Sequence, residues 1–367
     1  MSHDLTSFGY YIHVPFCERR CDYCAFATWT DRTHLIERYL GACRVDIERM
    51  VRAGAPEATS VFFGGGTPSL APAELLMDVL AVIPRAADAE VTVECNPDTV
   101  TPELFATYGA RGVNRVSLGV QSMVPHVLHA LGRTHDVDNV RTAAALARDT
   151  FPTFNLDVIY GGTGESLDDW RRTLDDVLAL DPPHVSAYAL TVEAGTPLAD
   201  DTARHPDDDD QADKYLLATE RLGAAGLEWY EISNWARAGH ECRHNWLYWT
   251  QGEYLAVGCA AHAHRDGRRW WSVRTPERYI DAVEANRSTE AGDERLDADA
   301  REIEALQLSL RTRAGVPASA LPDDADLEGL VAIHDGRATL TVQGRLLANE
   351  VALRLRQPAS TAGKSRT

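Results

Sequence analysis

The sequence predicts an α/β protein built on a parallel sheet, and three observations support that class. Short apolar runs recur at 9–14, 60–64, 90–95, 115–120, 154–159 and 185–190. Longer stretches of helical period separate them, near 33–52, 71–84, 101–109, 136–148 and 166–179. Such strict strand-helix alternation places parallel strands side by side with helices outside them. The chain's 367 residues exceed the usual single-domain size, so one large α/β domain with a smaller appended one is expected, and 44% hydrophobic residues is enough to fill a core. Six strand-helix units are too few to close an eight-stranded barrel.

Taken in order, the strands lead into the residues that carry chemistry. GYYIHV contains Tyr11 and feeds a cysteine-rich loop, and SVFFG feeds three consecutive glycines, Gly64, Gly65 and Gly66, followed by Thr67. EVTVEC closes on Glu94, RVSLGV leads to Gln121 with Arg133 further on, FNLDVI carries Asp157, and VSAYAL carries Ala187. In a barrel-like sheet, functional residues gather at the C-terminal strand ends, where these lie. A helix near 209–225 precedes a short strand, EWYEI, and after Asn234 the alternation stops. The stretch 237–300 is rich in Trp, His and Gly without a clear period, and 297–356 reads as helices followed by a strand-helix element. The expected organisation is therefore a domain over 1–236, a smaller C-terminal domain over 237–356 that caps the open barrel, and a polar, disordered tail over 357–367.

The net charge is -19, and Lys214 and Lys364 are the only lysines. This balance disfavours a nucleic-acid partner. The acidic run Asp207 to Asp210 lacks the alternating spacing of a calcium loop and reads as a solvated loop or a helix start. No N-terminal stretch reads as a signal peptide, and no apolar run approaches the roughly eighteen residues that cross a bilayer. With seven cysteines, three of them in one tight loop, a reducing, cytoplasmic setting is expected. Cys43 and Cys95 read as buried small hydrophobes.

Cys17, Cys21 and Cys24 stand at the spacing C-x3-C-x2-C. Three thiolates so placed can ligate three irons of a 4Fe-4S cluster and leave the fourth open to another ligand. A zinc site is the alternative, although no second ligand pair follows at related spacing. Phe16, Tyr23 and Phe26 flank the loop and would shield a cluster.

With the glycine turn, this loop resembles the signature of the radical S-adenosylmethionine (SAM) superfamily. The resemblance implies that SAM chelates the open iron and that the reduced cluster cleaves its sulfonium to a deoxyadenosyl radical. It also implies a partial (β/α)6 barrel with a smaller, mainly helical C-terminal domain. Tyr11, Gly64, Gly65, Gly66, Thr67, Glu94, Gln121, Arg133, Asp157 and the backbone of Ala187 match the SAM-contacting positions of the oxygen-independent coproporphyrinogen III oxidase family. The likeness continues through HVSAYALTVEAGTPL, EWYEISNWA and CRHNWLYW.

Two departures from the oxidase branch place the chain beside its heme-chaperone branch. Phe26 stands where the oxidases carry a fourth cysteine, and only sixteen residues precede Cys17. The resemblance then implies heme as ligand, a heme-accepting protein and an electron donor for the cluster as partners, and no need for product turnover. His244, in HNWLYW, reads either as a heme ligand or as a packed structural histidine, with Cys242, His262 and His264 as further ligand candidates. Coproporphyrinogen oxidation and another radical reaction on a tetrapyrrole are the competing activities. Relatives usually read G-x-G-A-H where this chain has Gly258, Cys259, Ala260, Ala261 and His262, and a proline where it has Thr163.

Overall fold

The computed structural model describes residues 7–133 and 135–356, so the expected tail at 357–367 lies outside the described residues. Six strands, β1 (Phe8–Val14), β2 (Ala58–Gly65), β3 (Arg85–Cys95), β4 (Arg115–Gln121), β5 (Thr153–Tyr160) and β6 (His184–Ala189), pair in parallel in that order. Helices Ile36–Arg52, Ala73–Ala81, Pro102–Ala110, Val137–Thr150 and Leu167–Leu178 connect them, each at an expected place. This is the expected partial (β/α)6 barrel.

Strand periodicity decides which side chains face in. One alternating set, including Tyr10, Ile12, Val61, Phe63, Val91, Val93, Val116, Leu118, Leu156, Val158, Val185 and Ala187, forms one apolar cluster. The other set is mostly polar: Tyr11, His13, Ser60, Glu90, Glu94, Arg115, Ser117, Asn155, Asp157, His184 and Ser186. Because successive side chains point to opposite faces, the first set packs under the helices and the second lines the barrel.

The helix starts are specified locally. Thr101, Asp136 and Asp207 cap their helices by accepting from Leu104, Asn139 and Asp210 backbone N-H groups, and Ser166 forms a reciprocal capping box with Asp169. The acidic run 207–210 is thus a cap and first turn, with Asp210 paired to the buried Lys214 at 2.6 Å.

The expected boundary at 236 differs from the hydrogen bonding. Beyond β7 (Glu228–Glu231) and β8 (Asn234–Ala236), four more strands, β9 (Glu253–Val257), β10 (His262–Arg265), β11 (Arg268–Ser272) and β12 (Glu290–Arg295), continue the same sheet, with β9 parallel to β1. The sheet therefore has 12 strands, in the order β12-β11-β10-β9-β1-β2-β3-β4-β5-β6-β8-β7. Aromatic and histidine residues mask the period of these strands, but a turn signal was present. Asp266 and Gly267, both at positive φ (52° and 69°), make the two-residue turn between β10 and β11. From Asp297 on, helix Ala298–Leu310, a three-stranded antiparallel sheet and two short helices enclose a second small core around Leu310, Val316, Leu340 and Val351. No helix among the described residues is long and apolar enough to cross a membrane.

Candidate functional site

The cysteine loop leaves β1 and is closed at its base. Trp29 N-H donates to Pro15 O at 2.8 Å, Cys17 N-H donates to Trp29 O at 3.1 Å, and Phe16 packs edge-on against Tyr39. The loop then turns tightly, with Cys24 N-H on Cys21 O at 3.2 Å. All three thiols are free. Burial pushes the Cys17 thiol up, and the nearby Cys24 and Cys21 add to the shift, so a bound metal must displace thiol protons. Among the described residues no three His, Cys, Asp or Glu side chains converge on one metal ion. A 4Fe-4S cube would make a different demand on the loop, since each thiolate would meet a different iron. Arg133 Nη1 donates to Cys21 Sγ at 3.5 Å, and the Thr67 hydroxyl reaches Cys17 Sγ at 3.7 Å. Of the expected flanking shields, Phe16 is buried and Tyr23 packs into a small apolar cluster with Val127 and Leu198. Phe26, 66% exposed, points to solvent and shields nothing within the chain.

The glycine turn lies against this loop. Gly66 N-H bonds Val14 O, and Thr67 N-H bonds Phe16 O, each at 2.8 Å. Gly65 has φ +113°, and a Cβ there would stand 2.5 Å from the His13 ring, while one on Gly66 would meet Phe16 O at 2.6 Å. Glycine is required here by strand-end crowding as well as by any ligand.

Two carboxylates of the inward set face this turn. Glu94 accepts from Gly65 N-H at 3.0 Å, and burial, reinforced by the charge of Asp157, pushes its carboxyl up to about 7. Burial likewise raises Asp157, despite hydrogen bonds from Ser117 at 2.8 Å and Asn155 at 2.7 Å. Two desolvated carboxyls within electrostatic reach of each other are paired to favour a cation between them. Tyr11 lies one layer below, its hydroxyl 3.1 Å from His13 Nδ1.

Gln121 ends β4 with φ 64° at a bulge in the β4-β5 pairing, and its amide would stand 2.9 Å from a Cβ on Gly119. A bulge re-aims a side chain in this way. Arg133 Nη2 bonds both Asn96 Oδ1 and Gly119 O at 3.1 Å, so one guanidinium ties the ends of two strands to the cysteine loop. The Ala187 side chain belongs to the outer core, and only its backbone is available to a ligand. Sequence reasoning missed Asn96, His13 and the 40% exposed Tyr188; all three are polar or aromatic residues at strand ends, the place the βα rhythm marks.

His244 lies elsewhere. Helix Arg243–Trp249 plugs the opposite, N-terminal end of the barrel, and Glu90 anchors its first turn by accepting from Arg243 N-H at 3.0 Å and His244 N-H at 3.1 Å. The His244 ring is 1% exposed and stacks on Phe62, with Nδ1 2.9 Å from Ser60 Oγ and Nε2 3.0 Å from Tyr248 OH. Both ring nitrogens are occupied, and burial lowers its pKa to about 3. The expectation of a heme contact at His244 therefore meets a sealed structural imidazole. Cys242 is buried beside Glu90, and His264 is buried with Nδ1 2.9 Å from Gly252 O. His262, at the start of β10, is exposed.

The sequence profile of the radical SAM superfamily matches residues 11–177, the span that holds the cysteine loop and both carboxylates. Heme chaperone HemW of Mycobacterium tuberculosis is 43% identical, covering 94% of this chain and 93% of its own length. Heme chaperone HemW of Escherichia coli is 38% identical over 79% of this chain and 80% of its own. The solved coproporphyrinogen III oxidase HemN of Escherichia coli, a radical SAM enzyme, superposes with a TM-score of 0.83 over 96% of this chain and 91% of its own. At 21% identity it shows the fold alone. Identity of this order across nearly the whole sequence means that the chain belongs to the HemW heme-chaperone family of the radical SAM superfamily.

Proposed function

We infer that this protein is a heme chaperone that binds heme and passes it to an acceptor protein, with a 4Fe-4S cluster and SAM at the barrel mouth. The observation that carries the choice of branch is Phe26, which fills the fourth-cysteine position of the oxidases and stands 66% exposed at the cluster loop. A 4Fe-4S cluster held here would supply an electron for reductive cleavage of SAM. The chain's own residues would prepare the site: Cys17, Cys21 and Cys24 would each hold one iron, leaving one iron to SAM. The Gly64 to Gly66 turn and Thr67 offer backbone groups, and Glu94 and Asp157 offer negative charge to a ligand that carries an ammonium and a sulfonium. Tyr11, Gln121, Arg133 and the Ala187 backbone complete the set.

The Arg133 donor on Cys21 would also stabilise thiolate charge near the cluster. Free thiols and a cluster suit the reducing cytoplasm, where an electron donor protein and a heme acceptor would meet the chain.

The test is a side-by-side assay of the anaerobically reconstituted protein. It should take up heme saturably and yield it to an apo-hemoprotein, and should leave coproporphyrinogen unconverted. Multiple turnovers of coproporphyrinogen to protoporphyrinogen would reverse the reading in favour of the oxidase.

A further inference from the structure

We propose that His262 is the residue that ligates heme iron, on a rim site at the barrel mouth rather than in the HNWLYW helix; the proposal rests on the heme-chaperone reading. The three other ligand candidates are buried, as is the neighbouring Cys259. For Cys242, Cys259, His244 and His264, both sulfurs and both His244 nitrogens have protein partners, and His264 is held through Nδ1 on Gly252 O. The His262 side chain is exposed, and no hydrogen bond involves its ring among the described residues.

Its position is fixed by pairing. His262 lies directly across from Trp271 in the β10-β11 hairpin, with the rings stacked at 5.7 Å and 28°. The turn before it packs on the mouth: a Cβ on Gly258 would meet His13 O at 2.7 Å, and the His13 ring in turn bonds Ala27 O of the cysteine loop at 2.9 Å. One further group suits the ligand. Arg274 is exposed beyond the strand that carries Trp271 and has no ion-pair partner among the described residues, in a chain of net charge -19. An imidazole for iron, an indole stacked on that imidazole to fix its orientation, and a guanidinium for a propionate match the chemistry of an iron porphyrin.

The experiment is a hemin titration of the full-length, cluster-loaded protein, read by the Soret band and by the spin state of the ferric iron. Wild type should show one saturable site with an imidazole-ligated band. His262→Ala should weaken binding by about tenfold or more, or lose that band, and millimolar free imidazole should restore it. Arg274→Glu should weaken binding without moving the band. His262→Gln, checked by circular dichroism, guards against a folding defect and should behave as His262→Ala. Wild-type affinity and band in both His262 variants would overturn the assignment, as would a loss that imidazole does not rescue. Failure of the wild type to bind heme saturably would instead overturn the heme-chaperone reading, and this site with it.

Discussion

At the floor of the barrel His244 and His184 have every ring nitrogen engaged by protein, the first by Ser60 and Tyr248, the second by Asn155 and Tyr230. At the mouth, towards the C-terminal ends of the barrel strands, burial raises the carboxyls of Glu94 and Asp157, the charge of Asp157 adding to the shift at Glu94, and three thiols share one loop. Both ends are built from the same inward-facing polar column. The difference is in charge: a buried neutral ring bonded by its own chain rigidifies the fold, whereas desolvated carboxyls that make hydrogen bonds but no ion pair among the described residues store free energy that a cationic ligand can release. A histidine in a striking motif therefore turns out to be architecture, and modest carboxylates one layer from the glycine turn are the better binding candidates.

Removing the thiols tests the mouth most severely. The triple replacement of Cys17, Cys21 and Cys24 by Ala should abolish the brown chromophore while the circular dichroism spectrum of the apo protein stays unchanged. Retention of about four iron and four sulfide per chain would disprove this ligand set.

The floor should respond in the reverse sense. His244→Ala removes a buried ring and strands Ser60 and Tyr248, so denaturant unfolding of the apo protein should show a loss of about 2–4 kcal/mol. A loss below about 0.5 kcal/mol would mean that the ring is not a structural plug.

Glu94 should behave as a site residue that costs stability. Burial pushes its folded pKa from the ordinary 4.5 up to about 7, so between these values the folded apo protein holds a proton that the unfolded chain has released. Stability should then fall as pH rises from about 4.5 to 7, and Glu94→Gln should remove that part of the slope. At pH 8 the variant should be more stable than wild type by on the order of 1–3 kcal/mol, while binding SAM more weakly. Equal slopes in the two proteins would contradict the carboxyl assignment.

A smaller effect is expected at the rim. Ala260 has φ +54°, in the left-handed region that favours glycine, so Ala260→Gly should stabilise by about 0.5–1 kcal/mol, measured by thermal unfolding. A destabilisation would show that the turn is held differently.

The mouth was largely legible in the sequence because its residues sit at the ends of cleanly periodic strands, each followed by a distinctive turn. The floor was not, because HNWLYW advertises ligand chemistry and only the tertiary fold shows that Ser60, on a distant strand, and Tyr248 consume both imidazole nitrogens. The strands over 253–295 were hidden for a different reason: Trp270, Trp271 and the flanking arginines are all half-buried and break the simple in-out alternation. The Asp266-Gly267 turn was the surviving signal. Phe26 shows the limit of reading burial from residue type, since a large apolar side chain beside a cysteine was expected to shield and instead projects outward.

The most direct test of the contrast between the two ends is the electron paramagnetic resonance spectrum of the reduced, reconstituted cluster with and without saturating SAM. SAM should change the wild-type signal and should leave that of Glu94→Gln largely unchanged at the same concentration. An unaltered wild-type signal, or an equal response in both proteins, would contradict a mouth whose desolvated carboxyls receive a cationic ligand beside the cluster.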